Sequence, residues 1–273
     1  MAIPEKPLRD LKVPKDALAV SWFGQNSFAL KNPAGSVVLI DPYFPEERPA
    51  DKFIHLERPI DERRFHADAV LLTHDHGDHT CTESLMRLLE ANPNMTIIGP
   101  PESIERIEAE GVSAELWPVV AGERRPAATM IAHAVYSKLP GNREACVHLG
   151  YVIDTGGGRV YVSGDPQNDF ADQKQLIGPI KTLSPDIGLL TTHPNEGEFP
   201  FFEGSVLTAE RIGLKVAVPA HYGCFVKRTY DPYAWADSFP RTTPVRVIIP
   251  YRGTVLISVK RGWYGFHSPR PQG

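Results

Sequence analysis

The sequence predicts a layered α/β protein with helices packed outside the sheets, and three observations carry that expectation. Short runs rich in β-branched residues recur along the chain, each closed by a turn signal. Several are continuous apolar stretches without alternation, as suits strands covered on both faces. Amphipathic helical segments fall between some of them, the arrangement of a layered α/β architecture.

The strand runs are LAVSWFG (18–24), SVVLID (36–41), DAVLLT (68–73), MTIIG (95–99), YVID (151–154), RVYVSG (159–164), DIGLL (186–190), KVAVPA (215–220), VRVIIP (245–250) and TVLISV (254–259). Helices are expected over 81–92, where Leu85, Leu88 and Leu89 share a face, over 101–111, and over 203–213, which ends at a glycine. GGG at 156–158 reads as a hairpin turn; no helix follows it, so it is not a phosphate-binding loop. Residues 42–66 read as an irregular, charged, proline-rich insertion, and the tail from 262 to 273 as poorly ordered. There is no internal repeat, low-complexity segment or linker. Residues 1–273 are therefore expected to form one domain with its core over 18–259.

Composition narrows the function classes. The 29 Lys+Arg against 33 Asp+Glu give a net charge of −4, without the broad basic footprint of a nucleic-acid binder. The 26 prolines argue against a helical bundle. No apolar run approaches the roughly 20 residues of a membrane span. The start, MAIPEKPLRDLKVPKD, lacks the apolar stretch of a signal peptide. Cys81, Cys146 and Cys224 are odd in number and far apart, which points to a reducing cytoplasm rather than a disulfide framework. A small-molecule partner is expected, with neither nucleic acid nor membrane, and a homo-oligomer is left open.

The sharpest feature is THDHGDHT (73–80), directly after the run DAVLLT. It supplies His74, His76, Asp78 and His79 around Gly77. On a helix His74 and His76 would point roughly 200° apart and could not share an ion. The cluster therefore belongs on a loop at the carboxyl end of a strand, where ligands gather in open α/β sheets. Gly77 is expected to permit the tight turn that re-aims the second pair. Imidazole with carboxylate suits zinc, manganese or iron better than calcium. Two more candidates follow apolar runs: Asp165 in VYVSGDP and His221 in VAVPAHYG. Each alone reads as a turn initiator or a structural histidine; beside the 74–79 cluster both read as ligands.

These residues resemble the metallo-β-lactamase superfamily, whose pattern is HxHxDH, then a bridging Asp after a strand, then a late His. The resemblance runs from WFGQNSF (22–28) and VVLIDPYF (37–44) to IIPYRGTVLISV (248–259). WFGQNSFAL, THDHGDH, YVSGD and VPAHYGCF are most similar to the branch holding L-ascorbate-6-phosphate lactonase and related metal-dependent hydrolases. The resemblance implies an αββα sandwich with two divalent ions, zinc or manganese, along one edge of the sheets. Carried over, His74 and His76 belong to the first ion, Asp78, His79 and His221 to the second, and Asp165 to both. Asp41 matches the early Asp that supports the ligand loop. The third ligand of the first ion is expected within MIAHAVYSKLPGNREACVHLGYVID. His148 is preferred there, with His133 and Tyr136 as alternatives.

Such a centre implies hydrolysis: the ions acidify a shared water, and Asp78 acts as the catalytic proton shuttle. The expected reaction is lactone opening on a sugar or sugar phosphate by metal-bound hydroxide. The alternatives are cleavage of a small phosphodiester and a non-catalytic metal-binding protein of the same fold. His193 in TTHPNEGEF is a candidate substrate contact, with Glu196 and Glu198 on the same loop. Lys138, Arg143, Lys227 and Arg228 could meet a phosphate, although each alone reads as surface. Tyr222 and Cys224 read as packing residues.

Overall fold

The computed structural model describes residues 6–141, 146–250, 253–260 and 262–267. Arg143 lies outside the described residues.

Two sheets face one another. The first has eight strands: β1 (Leu18–Gly24), β2 (Ser27–Lys31), β3 (Val37–Ile40), β4 (Ala69–Leu71), β5 (Thr96–Gly99), β6 (Glu115–Pro118), β14 (Thr254–Ser258) and β15 (Trp263–His267), in the order β15-β14-β1-β2-β3-β4-β5-β6. The second holds β7 (Arg124–Ala127), β8 (Met130–Tyr136), β9 (Leu149–Asp154), β10 (Arg159–Val162), β11 (Ile187–Thr191), β12 (Val216–Ala220) and β13 (Arg246–Val247), in the order β13-β12-β11-β10-β9-β8-β7. Each sheet changes from antiparallel to parallel pairing part-way across, at β3 in the first and at β10 in the second.

Alternation along the strands builds the layers. In β1, Leu18, Val20 and Trp22 join the core between the sheets, while Ala19 and Phe23 face outward. In β3, Val38 and Ile40 face inward, with Val37 and Leu39 outward. A short helix, α1 (Lys6–Asp10), precedes β1, and the outer face of the first sheet is covered by α2 (Thr82–Ala91) and α3 (Pro101–Ala109) through Leu85, Leu88, Ile104 and Ile107. The second sheet carries α4 (Lys174–Leu183), α5 (Phe202–Ile212) and α6 (Pro232–Asp237) through Leu176, Ile180, Ala209 and Trp235. The result is the expected αββα sandwich. No helix among the described residues is long and apolar enough to cross a membrane.

Four expectations need correction. Of VRVIIP only Arg246 and Val247 pair in the sheet. The tail is not wholly irregular, because Trp263–His267 form an edge strand antiparallel to β14. Lys138 is not a surface residue: it is 4% exposed. Gly77 adopts no positive φ and a Cβ there would meet open space, so this turn does not require glycine. The 42–66 insertion has only a 3₁₀ turn at Glu62–Arg64, yet it buries Phe44, Phe53, Ile60 and Phe65.

Candidate metal centre

The parallel pairing decides where the polar residues gather. Pairing Ile40 with Leu71 sets Asp41 and Thr73 side by side just beyond the ends of β3 and β4. Pairing Val162, Leu189 and Val218 in parallel aligns the ends of β10, β11 and β12, from which Asp165, His193 and His221 follow. The 74–80 loop is held down by its own side chains and by α3. Thr80 Oγ1 donates to the His74 carbonyl at 2.8 Å, and Arg106 pairs with Asp75 at 2.6 Å while donating to the Thr80 carbonyl at 2.5 Å.

Asp165 Oδ2 is the hub. It lies 3.6 Å from His74 Nε2, 3.3 Å from His79 Nε2 and 3.5 Å from His221 Nε2. Asn26 Nδ2 donates to the other oxygen, Oδ1, at 3.1 Å, which leaves Oδ2 to the histidines. His76 Nδ1 approaches His74 Nε2 at 3.0 Å, and the His148 ring stacks on His74 with centroids 4.0 Å apart. Asp78 Oδ2 lies 3.8 Å from His79 Nε2. Three groups of ligand atoms result: His74, His76 and His148; His74, His79 and Asp165; Asp78, His79 and His221. His133 and Tyr136 fall elsewhere, lining a separate cavity between β8 and α4.

The tautomers are fixed from behind. Asp41 Oδ2 accepts from Thr73 Oγ1 at 2.6 Å and from His79 Nδ1 at 2.8 Å, while Oδ1 accepts from the Thr73 amide at 2.8 Å. Thr73 Oγ1, its proton given to Asp41, accepts from His74 Nδ1 at 3.0 Å. In their neutral form both imidazoles therefore turn an Nε2 lone pair toward Asp165, the arrangement in which a supported histidine binds a cation.

The residues fit a metal on two counts. His79 Nε2 is buried without a hydrogen-bond partner although it faces a carboxylate at 3.3 Å, a separation an ion between them would use. The electrostatics also demand positive charge. Burial works to lower the His79 pKa, but Asp165, Asp78 and Asp41 outweigh it and hold the ring well above its ordinary value. Asp78 is lowered against its own burial by His79 and His221. His74 is pushed well below its ordinary value by burial and by His79. Three carboxylates around these imidazoles make a cation-seeking donor set of borderline softness.

The β-lactamase superfamily domain profile matches residues 37–222, which spans the strands and loops just described. The chain belongs to this superfamily. It is 29% identical over 213 residues to a UPF0173 metal-dependent hydrolase of Thermofilum pendens, covering 78% of this chain and 85% of that one. Among solved structures it is similar to Igni18, a metallo hydrolase of the archaeon Ignicoccus hospitalis, with a TM-score of 0.67 and 20% identity over 88% of this chain and 98% of that one. It is also similar to an isothiocyanate hydrolase from Delia radicum gut bacteria, with a TM-score of 0.70 and 18% identity over 90% of this chain and all 100% of that one. These two likenesses concern the fold.

In this superfamily member a cavity of about 780 Å³ opens beside Asp78, lined also by Tyr43, Lys52, Glu196, Phe225, Lys227 and Arg228. The 42–66 insertion makes one wall: Ile54 donates to the Cys224 carbonyl at 2.9 Å and Val226 to that of Lys52 at 2.9 Å. Arg228 reaches Glu196 at 2.7 Å and Glu198 at 2.8 Å, and Lys138 lies 3.7 Å from Glu198. His193 is buried; its Nδ1 accepts from the amides of Asn195 at 3.2 Å and Glu196 at 3.0 Å, so Nε2 carries the proton. That Nε2 has no hydrogen-bond partner among the described residues.

Sequence reasoning missed Gln25 and Asn26, which touch Asp78, His221 and Asp165. The available signal was two adjacent amides between strand-forming runs, where apolar or glycine residues would make the simpler turn.

Proposed function

We propose that this metal-dependent hydrolase of the β-lactamase superfamily opens a lactone, on a sugar or sugar phosphate, within the cavity beside Asp78. The observation that carries the reading is that the arginine lining this cavity is already paired. Arg228 is held by Glu196 and Glu198, and Lys138 lies against Glu198. A phosphodiester brings a negative charge and develops more, so its site needs cationic side chains turned to the substrate. A neutral ring carbonyl does not.

The ligands would divide as His74, His76 and His148 about one divalent ion and Asp78, His79 and His221 about a second, zinc or manganese, with Asp165 between them. When bound, such ions supply Lewis acidity and lower the pKa of a water toward neutrality. Water attacks the ring carbonyl carbon, and the Asp78 carboxylate takes its proton. The bond from that carbon to the ring oxygen breaks, and Asp78 returns the proton to the departing alkoxide. Asp78 suits this role because its side chain is 22% exposed at the cavity while its pKa is held low, so it waits as an acceptor. His193, assigned here to a substrate hydroxyl, starts the loop whose Glu196 lines the cavity. A cytoplasmic setting is part of the proposal, from the odd number and wide spacing of the three cysteines.

Lys52 and Lys227 favour a second reading, a small phosphodiester, because both line the same cavity and neither has an ion-pair partner among the described residues. The test is a panel of sugar lactones, bis(p-nitrophenyl) phosphate and β-lactams with zinc- or manganese-loaded protein. Lactone opening should exceed phosphodiester cleavage by about tenfold in kcat/KM, or about 1.4 kcal/mol of transition-state discrimination, and Asp78→Asn should abolish both. A preference for the phosphodiester overturns the lactone. Metal uptake without turnover of any substrate leaves a binding protein.

A further inference from the structure

Gln25 occupies a place that the superfamily's ligand pattern does not explain. It is buried, 1% exposed, and sits at φ +53°, a conformation that non-glycine side chains seldom adopt. Three main-chain contacts hold it there. Its amide donates to the Tyr222 carbonyl at 2.9 Å, and its carbonyl accepts from the His221 amide at 3.0 Å and from Trp22 Nε1 at 3.0 Å. Two neighbouring residues of the centre share this backbone strain, Asp41 at φ +42° and His221 at φ +62°. Such strain persists where the surroundings over-determine it, commonly at functional sites.

The side chain ends among ligand atoms. Gln25 Nε2 lies 2.6 Å from Asp78 Oδ2 and 2.8 Å from His221 Nε2, while Gln25 Oε1 is buried with no hydrogen-bond partner. The two ends of an amide are told apart only by their partners, and they exchange by a half-turn about the last torsion. Bonds of about 2.0–2.2 Å at right angles hold neighbouring ligand atoms about 3 Å apart. The terminal amide atom thus stands at ligand-to-ligand spacing from both Asp78 and His221. An ion drawing on the Asp78 and His221 lone pairs removes the acceptors that hold the NH₂ group inward. Turned over, the amide brings its otherwise unsatisfied oxygen to the same place.

We propose that Gln25 Oε1 is an additional ligand of the ion held by Asp78, His79 and His221. The inference rests on the two-ion reading above and adds a fifth protein donor, beside the shared Asp165, to the second ion. A hard amide oxygen would raise that ion's coordination number, favouring manganese over tetrahedral zinc at this position. It would also make the second ion's affinity depend on a residue nearly 50 positions before the ligand loop.

The test titrates full-length wild-type, Gln25→Met and Gln25→Glu proteins with Mn²⁺ and Co²⁺, following binding by calorimetry and the Co²⁺ visible spectrum. In the wild type two ions should bind, the second with the weak bands of five- or six-coordinate cobalt. Gln25→Met should weaken the second ion by about tenfold or more, leave the first unchanged and intensify the bands toward a four-coordinate spectrum. Gln25→Glu separates a ligand from a mere hydrogen-bond donor. An ionised carboxylate can coordinate but cannot donate to Asp78, so the second ion should bind at least as tightly as in the wild type. Loss of the second ion in Gln25→Glu, or an unchanged spectrum and affinity in Gln25→Met, overturns the assignment. Uptake of a single ion by the wild type instead overturns the two-ion reading itself. Should Gln25→Met not fold, the Gln25→Glu titration decides alone.

Discussion

Asp41 Oδ2 and His79 Nδ1 lie 2.8 Å apart, both fully buried, on loops that leave two neighbouring parallel strands. The carboxylate makes no approach to Asp165, yet it decides which nitrogen of His79 points there. Burial raises the Asp41 pKa, and His79 with Thr73 works against that rise.

Asp41→Asn should therefore damage metal binding without touching a ligand. An amide keeps the shape but can turn an NH₂ toward Nδ1, which favours the tautomer with the proton on Nε2. Metal affinity should fall by about 10- to 100-fold, read as occupancy after dialysis against a metal buffer. Full occupancy at the wild-type free-metal level would show that the His79 tautomer does not depend on Asp41.

A second prediction concerns the wall of the cavity. Glu62 is fully buried and bonds Arg87 Nη2 at 2.6 Å and Arg58 at 2.8 Å, while Arg87 also donates to the Phe44 carbonyl. The network ties the 42–66 insertion to α2. Removing one partner leaves a buried charge uncompensated, so Glu62→Ala should cost about 3 kcal/mol, seen as a lower urea midpoint. A change below about 1 kcal/mol, the range of exposed pairs, would show the network to be solvated.

How far the sequence disclosed these features depends on whether the information is local. The clustering of His74, His76, Asp78 and His79 was legible because these four donors fall within six adjacent residues and a continuous apolar run precedes them. Asp165 and His221 were legible because strand ends are marked by β-branched residues followed by Gly or Pro. The helices 82–91, 101–109 and 202–212 lie within two residues of their expected bounds, since periodicity is a local signal. β7 was not legible: RRPA has no apolar alternation and is held by pairing with β8. Lys138 looked like surface because its nearest carboxylate partner, Glu198, lies 60 positions away. Gln25, at the bulged turn between β1 and β2, is meaningful only once 221 folds back onto it.

A third prediction follows from Cys224, buried three residues beyond His221. Burial pushes its thiol up to about 11, although Arg48 pulls the other way. A raised thiol pKa means that the reactive thiolate appears only as the pH approaches that value. At pH 8 about one molecule in a thousand carries it, so iodoacetamide at pH 8 should leave Cys224 unmodified in the native protein and alkylate it in urea, as read by peptide mass spectrometry. Rapid native labelling would reveal an activated thiol and reopen covalent catalysis.

The last prediction tests why the site should prefer a neutral ring to a phosphodiester. Arg228 faces the cavity but spends its guanidinium on Glu196 and Glu198, and Lys138 shares Glu198. Replacing both glutamates by glutamine keeps their size and removes two negative charges from that wall. Each charge, about 7 Å from a phosphoryl group in a partly solvated cavity, is worth on the order of 0.6–1.2 kcal/mol. A phosphodiester gains twice, on its ground-state charge and on the charge it develops, whereas a lactone gains only on its developing oxyanion. The Glu196→Gln, Glu198→Gln double variant should therefore bring the lactone-to-phosphodiester ratio of kcat/KM down by about tenfold, a difference near 1.4 kcal/mol. Added salt should shrink that change, because the wall is open to solvent. An unaltered ratio in the double variant would mean that the Arg228 ion pairs do not set the preference, and the argument for the lactone would lose its main support.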